Sequence, residues 1–241
     1  MIFKLEVIGF NIESCILAQA AGAHRIELCD NPADGGTTPS YGFIKAARQK
    51  LNIDLFPMIR PRGGDFLYTD EEFEVMKTDV KICKELGCDG LVLGMLNADG
   101  TIDKERSSRL VELAYPLSVT FHRAFDRTMD PFKSLEDIIE IGCERILTSG
   151  QKPHVLEGPE LIAQLIKQAD DRLIIMPGCG LRSDNVIELA KKSGASEFHT
   201  SGKMNIASKM EFINDSMKES LQSVTADADE IKKIIANLKS I

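Results

Sequence analysis

The sequence lacks several features that mark particular classes of protein. It has no C-x-x-C pair among its six cysteines, no long run of lysines and arginines, and no low-complexity tract. The formal net charge is -8, and without a local basic run it argues against a nucleic-acid surface. No stretch approaches the roughly 20 consecutive apolar residues of a membrane-spanning helix. Neither nucleic acid nor a membrane is therefore an expected partner.

The first residues also lack the pattern of a conventional signal peptide. Lys4 and Glu6 fall where an uninterrupted apolar region would be needed. Six cysteines without paired spacing are typical of reduced thiols. We therefore expect a cytoplasmic location.

What is present is the composition of a globular protein with a sizeable core. Hydrophobic residues make up 43% and charged residues 27% of the chain, which are ordinary values for a soluble domain. The length of 241 residues could form one or two domains. A barrel of alternating strands and helices regularly uses such a length in one piece.

A short phrase recurs four times along the chain. It consists of a glycine, a small residue, two mostly polar residues and a short apolar run, and it begins at Gly22, Gly87, Gly142 and Gly194. This is how a helix C-cap leads into a buried strand. The intervals of roughly 50 to 65 residues fit two βα units per repeat, so the phrases predict every second strand.

Apolar runs at 4–8, 55–59, 117–121 and 173–176 supply the intervening strands. Helix starts are also recognisable, such as Thr69 with Glu72 in capping-box spacing. Eight alternations predict an α/β fold, a single (β/α)8 TIM barrel with eight parallel strands and outer helices. One domain is expected over 1–241, with the barrel at about 1–202 and an irregular segment and a C-terminal helix at 203–241. A doubly wound sheet is the alternative.

The loop after the strand at 55–59 is rich in charge. Arg60 and Arg62 stand beside Pro61, Gly63 and Gly64, and guanidinium groups suit recognition of a planar or tetrahedral anion. Loops that follow barrel strands form the active face. The alternative is that Arg62 and Asp65 form a salt bridge that braces the loop.

Alternation along the strands places further polar residues on the inner face. Residues two apart share a face, which predicts that Glu6, Glu27, Cys29, His122 and His199 point inward. Buried charges are costly unless paired, and charged clusters in clefts are often functional. Mutual pairing alone is the alternative. The catalytic candidates are His122, Glu27, Glu6 and Asp126.

The loops after the seventh and eighth strands add small and polar residues. Barrels frequently bind phosphate there on glycine-rich backbone. Two ordinary glycine turns are the alternative. The expected residues of an anion or substrate site are Arg60, Arg62, Gly178, Gly180, His199 and Ser201.

Several of the candidate residues, such as Glu27, Arg60 and His122, lie in segments through which the chain resembles the CutC family of copper homeostasis proteins. The matching segments are 25–29, 35–40, 58–68, 119–126 and 145–150. The resemblance implies a cytoplasmic, oligomeric barrel linked to Cu(I) binding and copper tolerance. It also implies Cys29 as a copper ligand, together with a cysteine at the end of the first strand.

Two positions depart from the family pattern. Ile8 stands where the first-strand cysteine is expected, and Ile213 stands where members have a basic residue. Cu(I) prefers thiolate ligands, so Cys29 alone predicts weak Cu(I) binding. Cys179 is the other cysteine expected on the same face.

Two functions from different classes remain open. The first is a copper homeostasis protein that binds Cu(I) through Cys29. The second is a metal-independent enzyme acting on a small anionic or phosphorylated substrate, with His122 as general base or acid and Arg60 and Arg62 holding the anion. A scaffold that only binds a partner is a third, although it would not need a polar interior. The expected partner is thus a copper ion or a small anionic ligand, and a homo-oligomer is expected.

Overall fold

The computed structural model describes residues 3–218 and 220–241. Parallel strands alternate with helices along most of the chain, and an antiparallel hairpin and a last helix follow. The strands are β1 Lys4–Gly9, β2 Arg25–Leu28, β3 Asp54–Pro57, β4 Gly90–Leu93, β5 Ser118–Phe121, β6 Arg145–Thr148, β7 Ile174–Pro177, β8 Glu197–Thr200, β9 Lys203–Ile206 and β10 Ser223–Ala226. The helices are α1 Ile12–Ala20, α2 Tyr41–Lys50, α3 Asp70–Glu85, α4 Lys104–Ala114, α5 Pro131–Glu140, α6 Pro159–Ala169, α7 Val186–Ser193 and α8 Ala228–Lys239.

The parallel strands form two sheets of four. One has the order β3-β2-β1-β8 and the other β4-β5-β6-β7. A parallel bridge pairs Met58, the residue after β3, with Val92 in β4, and the Ile59 N–H donates to the Val92 carbonyl at 2.7 Å. The α/β class and the parallel pairing agree with the sequence prediction.

The four recurring glycines lie where helices give way to strands. Gly22, Gly87, Gly142 and Gly194 have φ between +74° and +99°, a left-handed conformation that glycine adopts without strain. They follow or cap α1, α3, α5 and α7 and precede β2, β4, β6 and β8. The prediction that they mark every second strand is confirmed.

The two faces of the strands have different surroundings. Outward residues such as Ile26, Leu28 and Phe121 pack with buried helix residues in the main core. On the opposite side, called the inner face here, a small apolar cluster contains Ile8, Cys29, Phe56, Met58 and Val92. The rest of the inner face carries polar groups, and these form the site described below.

The segment expected to be irregular contains the β9–β10 hairpin. Its strands are four residues long and β9 is largely exposed, so no alternation of buried apolar residues announces them in the sequence. The Asn11 side-chain amide donates to the Val224 carbonyl at 2.8 Å, which ties the hairpin to the start of α1. The predicted C-terminal helix is present as α8 and buries Ile231, Ile234 and Leu238. Within 3–218 and 220–241, no helix has the length and apolar character required to cross a membrane.

Candidate active site

A cavity of about 420 Å³ lies at the carboxyl ends of the strands. Six of the residues expected at a functional site line it, and they come from loops or strand ends that are far apart in sequence. The other five, Glu6, Cys29, Arg62, Asp126 and Gly178, are not part of the lining. The lining residues are Glu27, Arg60, His122, Gly180, His199 and Ser201.

A buried triad of side chains, Glu6, His199 and Glu27, lies on one side of the cavity. His199 Nδ1 lies 2.8 Å from Glu6 Oε1, and His199 Nε2 lies 3.8 Å from Glu27 Oε2. Burial alone would raise the pKa of Glu6, but Arg25 and His199 outweigh it and lower that pKa to about 2. Burial would lower the pKa of His199, yet the carboxylates of Glu27 and Glu6 raise it. Glu6 is therefore an ionised partner that favours the protonated form of the His199 imidazole.

Glu27 differs from Glu6 in its surroundings. Burial raises the pKa of Glu27 to about 7, although His199 acts in the opposite direction. Among the described residues, no partner is within hydrogen-bond distance of Glu27 Oε1. Glu27 thus offers a carboxyl group that can gain or lose a proton near neutral pH.

Beneath this triad lies a network of charged side chains that were not predicted from the sequence. Arg25 donates through Nε to Glu6 at 2.5 Å and through Nη2 to Glu197 at 2.7 Å. Arg145 Nε lies 2.8 Å from Glu197, and both guanidinium groups lie over the Phe56 ring. Arg25 and Glu197 each precede a predicted inward residue by two positions, so the same alternation rule could have found them.

His122 occupies the side of the cavity next to β4 and β5. A Cβ added to Gly94 would lie 2.6 Å from the His122 ring, so glycine at this position makes room for the imidazole. The Ala124 N–H donates to His122 Nδ1 at 3.2 Å, which leaves the proton of the neutral ring on Nε2. Burial and then the charge of Arg60 lower the pKa of His122 to about 3. His122 is therefore a neutral donor, and its buried Nε2 has no acceptor in the described part of the chain.

Arg60 is a buried cation beside His122. Its Nη1 donates to the carbonyl oxygens of Asp34 and Gly36, and its Nη2 donates to that of Gly64. No carboxylate of residues 3–218 and 220–241 lies within 4.0 Å of its guanidinium nitrogens. The Phe66 ring lies 4.9 Å from both the Arg60 Cζ and the His122 ring centroid. Neutral carbonyls hold Arg60 in place while its charge faces the cavity without a counter-ion.

Other predicted residues have structural partners. Arg62 lies outside the cavity lining, and its Nε donates to Glu72 at 2.6 Å and its Nη2 lies 2.9 Å from Asp65. The loop is thus braced by the salt bridge considered as the alternative. Asp126 accepts from the Ser149 N–H and from Arg123 Nε and supports the loop after β6.

Gly178 and Cys29 serve the packing around the site. A Cβ on Gly178 would lie 3.1 Å from His199, so this glycine lets the histidine approach. Cys29 is fully buried with Ile8 and Met58. Burial, followed by the charges of Glu27 and Glu6, raises the pKa of the Cys29 thiol well above its usual value. The thiolate form is therefore disfavoured.

Three cations at the cavity mouth were not among the predicted site residues. Arg123 and Arg127 follow β5, and Lys203 begins β9; all three line the cavity. Lys203 was missed because it lies in the segment that was expected to be irregular. Arg123 and Arg127 could have been found, since residues just after a barrel strand belong to the active face.

The arrangement suits acid–base chemistry better than cation binding. Single ligand atoms of Glu6, Glu27 and His199 lie within 4.8 Å of one another. However, Glu6 is already paired with Arg25 and His199, and Arg60 adds positive charge to the cavity. A carboxyl group near neutrality, a neutral imidazole donor and an unpaired guanidinium can instead bind an anion and move a proton.

Comparisons with known proteins agree with the resemblance. The CutC family profile matches residues 3–204. A CutC family protein of Parabacteroides distasonis is 48% identical over 96% of this chain and 98% of its own length. The copper homeostasis protein cutC homolog of Mus musculus is 50% identical over 89% of this chain and 79% of its own. The solved structure of CutC from Streptococcus agalactiae has a TM-score of 0.79 and 36% identity, and covers 83% of this chain and 99% of its own. The chain belongs to the CutC family.

Proposed function

We propose that the protein is a metal-independent enzyme that moves a proton on a small anionic substrate. The observation that carries this proposal is the pairing, across one cavity, of two buried groups with unused hydrogen-bonding capacity. Glu27 has a free oxygen and a pKa of about 7, and His122 has a free Nε2. Buried polar groups are rarely left without partners unless a ligand or water supplies them.

Each residue has a distinct role in this scheme. Arg60 attracts the anionic group of the substrate, because its charge is not neutralised by a neighbouring carboxylate. Glu27 removes the proton, since a base works best with a pKa near the operating pH. His122 donates a hydrogen bond from Nε2 to the oxygen on which negative charge develops. This replaces the general base or acid role expected for His122. A ring with a pKa of about 3 is a weak base, its Nδ1 already accepts the Ala124 N–H, and it carries no proton beyond the one on Nε2.

Hydrogen–deuterium exchange at carbon tests the reaction class. Pyruvate and dihydroxyacetone phosphate combine a carbonyl group with a carboxylate or a phosphate, and loss of their C–H signals in D2O can be followed by proton NMR. We expect catalysed exchange of at least one compound by the wild type and its loss in Glu27→Gln. Glu85→Gln, an exposed change on α3, is the matched control. Equal exchange by the wild type and Glu27→Gln would contradict the proposal.

Copper binding is the second candidate, because relatives carry the name copper homeostasis protein. Cys29 would supply the thiolate, and the Met58 thioether lies in the same apolar cluster; both are ligand types that Cu(I) accepts. The thiol must first lose its proton in a buried, acidic environment, and Ile8 supplies no second thiolate. We therefore propose that Cu(I) binding at Cys29 is weak.

Competition with a chromogenic Cu(I) chelator measures this affinity. Wild type should hold Cu(I) less tightly than a two-thiolate site would, and Cys29→Ser should lose that binding. Cys179→Ser is the control at the other cysteine near the cavity. Tight one-to-one binding that survives Cys29→Ser would show that the proposed copper site is not used.

We also propose that the two sheets close into a single eight-stranded barrel within one domain. The Met58–Val92 bridge between β3 and β4 supports closure on one side.

A cytoplasmic location is supported by the six cysteines, which are all free thiols. A homo-oligomer is supported by exposed apolar side chains at Met210, Phe212 and Ile213. Limited proteolysis tests the single closed domain, localisation of a tagged chain tests the cytoplasmic location, and light scattering tests the homo-oligomer.

A further inference from the structure

The cavity has two levels that differ in burial and charge. The floor consists of residues that are all less than a tenth exposed, Glu27, Arg60, His122 and His199. Arg123, Arg127 and Lys203 stand at the mouth, where they are partly or fully exposed. We propose that this mouth is a second anion subsite that binds the phosphate of a phosphate monoester. This inference rests on the proposed function, since it assigns a substrate class to the same cavity.

The charge around the cavity differs from that of the whole protein. The protein as a whole carries a formal charge of -8, yet its cavity is lined by four cations, Arg60 and the three mouth residues, against the carboxylates of Glu27 and Asp34. In the described part of the chain, no carboxylate lies within 4.0 Å of the charged nitrogens of Arg127 or Lys203. Exposed cations without partners, grouped at one opening, concentrate anions there.

Arg123, one of these cations, is held in a fixed orientation. Arg123 Nε lies 2.7 Å from Asp126 Oδ2, and its Nη2 donates to Ser149 Oγ at 2.8 Å. Asp126 is itself anchored by the Ser149 N–H. Asp126 acts in this proposal as a positioning residue for Arg123, in place of the catalytic role expected from the sequence. A planar guanidinium fixed at the mouth is suited to the oxygens of a phosphate.

The cavity has the size of a small phosphate monoester. A volume of about 420 Å³ corresponds to about fourteen water molecules at roughly 30 Å³ each. A short carbon chain bearing one phosphate fits within it. The floor then binds the reacting carbonyl or hydroxyl end through His122 and Glu27, while the mouth binds the dianion. Two anchors at opposite ends would fix the substrate in a single direction, which the proton transfer requires.

A matched pair of compounds tests the subsite. Dihydroxyacetone phosphate and dihydroxyacetone differ only in the phosphate, and calorimetry at constant ionic strength gives their dissociation constants. The wild type should bind the phosphorylated compound more tightly. Arg127→Gln/Lys203→Gln should raise its Kd about tenfold, because two charge-assisted contacts at an exposed mouth are lost. Inorganic phosphate should also bind more weakly to this variant than to the wild type.

The control is Lys50→Gln/Lys191→Gln, which removes the same charge at exposed helix positions outside the cavity. Equal binding of the two compounds, an unchanged Kd in the mouth variant, or an equal effect of the control would each overturn the subsite. Pyruvate has no phosphate and should bind equally well to the mouth variant. If Glu27-dependent exchange on pyruvate persists when the phosphate effect fails, the proposed function stands and only the subsite is lost.

Discussion

Replacing Arg25 with methionine should destabilise the fold strongly, because Arg25 neutralises two buried carboxylates. Its guanidinium contacts Glu6 and Glu197, and all three side chains are 6% exposed or less. Removing one partner of a buried ion pair costs about 3–5 kcal/mol of unfolding free energy. His199 still contacts Glu6 and Arg145 still contacts Glu197, so we expect the lower end, about 3 kcal/mol. Methionine retains most of the apolar contact with Phe56.

The loss should depend on pH in a definite direction. In the wild type the pKa of Glu6 is lowered to about 2 from 4.5, so its stabilising contribution is complete above about pH 4.5 and disappears as the pH falls through 2. Without Arg25, burial raises the Glu6 pKa, and the carboxylate becomes a buried charge as the pH rises. The difference between wild type and variant should therefore be larger at pH 8 than at pH 5.

Urea unfolding followed by circular dichroism at both pH values gives the two differences. Arg172→Met, which breaks an exposed pair with Glu136, is the control and should change stability little. The double variant Arg25→Met/Glu6→Gln should recover part of the loss at pH 8, because no unpaired carboxylate remains at position 6. A loss below about 1 kcal/mol, or one that shrinks from pH 5 to pH 8, would refute this reasoning.

Three further predictions concern the cavity. Arg60→Gln should abolish the extra rise in melting temperature that pyruvate or phosphate gives over chloride at equal ionic strength, and a rise that persists would remove Arg60 from the anion site. Gly94→Ala should cost about 1–3 kcal/mol of stability, since the new methyl group overlaps the His122 ring; an unchanged urea midpoint would contradict this contact. Nitrogen-15 NMR of His122 should show a neutral ring protonated on Nε2 down to about pH 4, and an imidazolium signal at pH 6 would exclude its role as a neutral donor.

The sequence was informative wherever structure follows from a repeated local rule. Left-handed glycines such as Gly22 and Gly142 end helices for a steric reason, so they located the strands. The period of two along each strand predicted that Glu27 and His199 share a face, and it would have predicted Arg25 had it been extended to the strand's first residue. The positions of the strands and the faces of their residues follow from backbone geometry, so they can be predicted without knowledge of tertiary contacts.

The partners of charged loop residues could not be predicted in the same way. Arg62 is only two residues after Arg60, but the two side chains have different partners. Arg62 forms a salt bridge with Glu72, the capping-box residue of α3. Arg60 donates hydrogen bonds to backbone carbonyl oxygens. Which partner each arginine contacts depends on how the loop folds over the start of α3. The pKa values of Glu6 and Glu27 also diverge through their three-dimensional neighbours, since only Glu6 has a direct bond to Arg25.

Titration of Glu27 tests whether this residue can act as the proton-transfer group. Carbon-13 NMR of the glutamate side-chain carboxyl groups, with the Glu27 signal assigned by its disappearance in Glu27→Gln, reports the pKa of this group in the unliganded protein. We expect a midpoint of about 7, because burial disfavours the carboxylate while its proton can still be exchanged with a substrate. A midpoint near the ordinary value of 4.5 would contradict the account, because Glu27 would then be a permanently ionised partner of His199 and not a proton-transfer group.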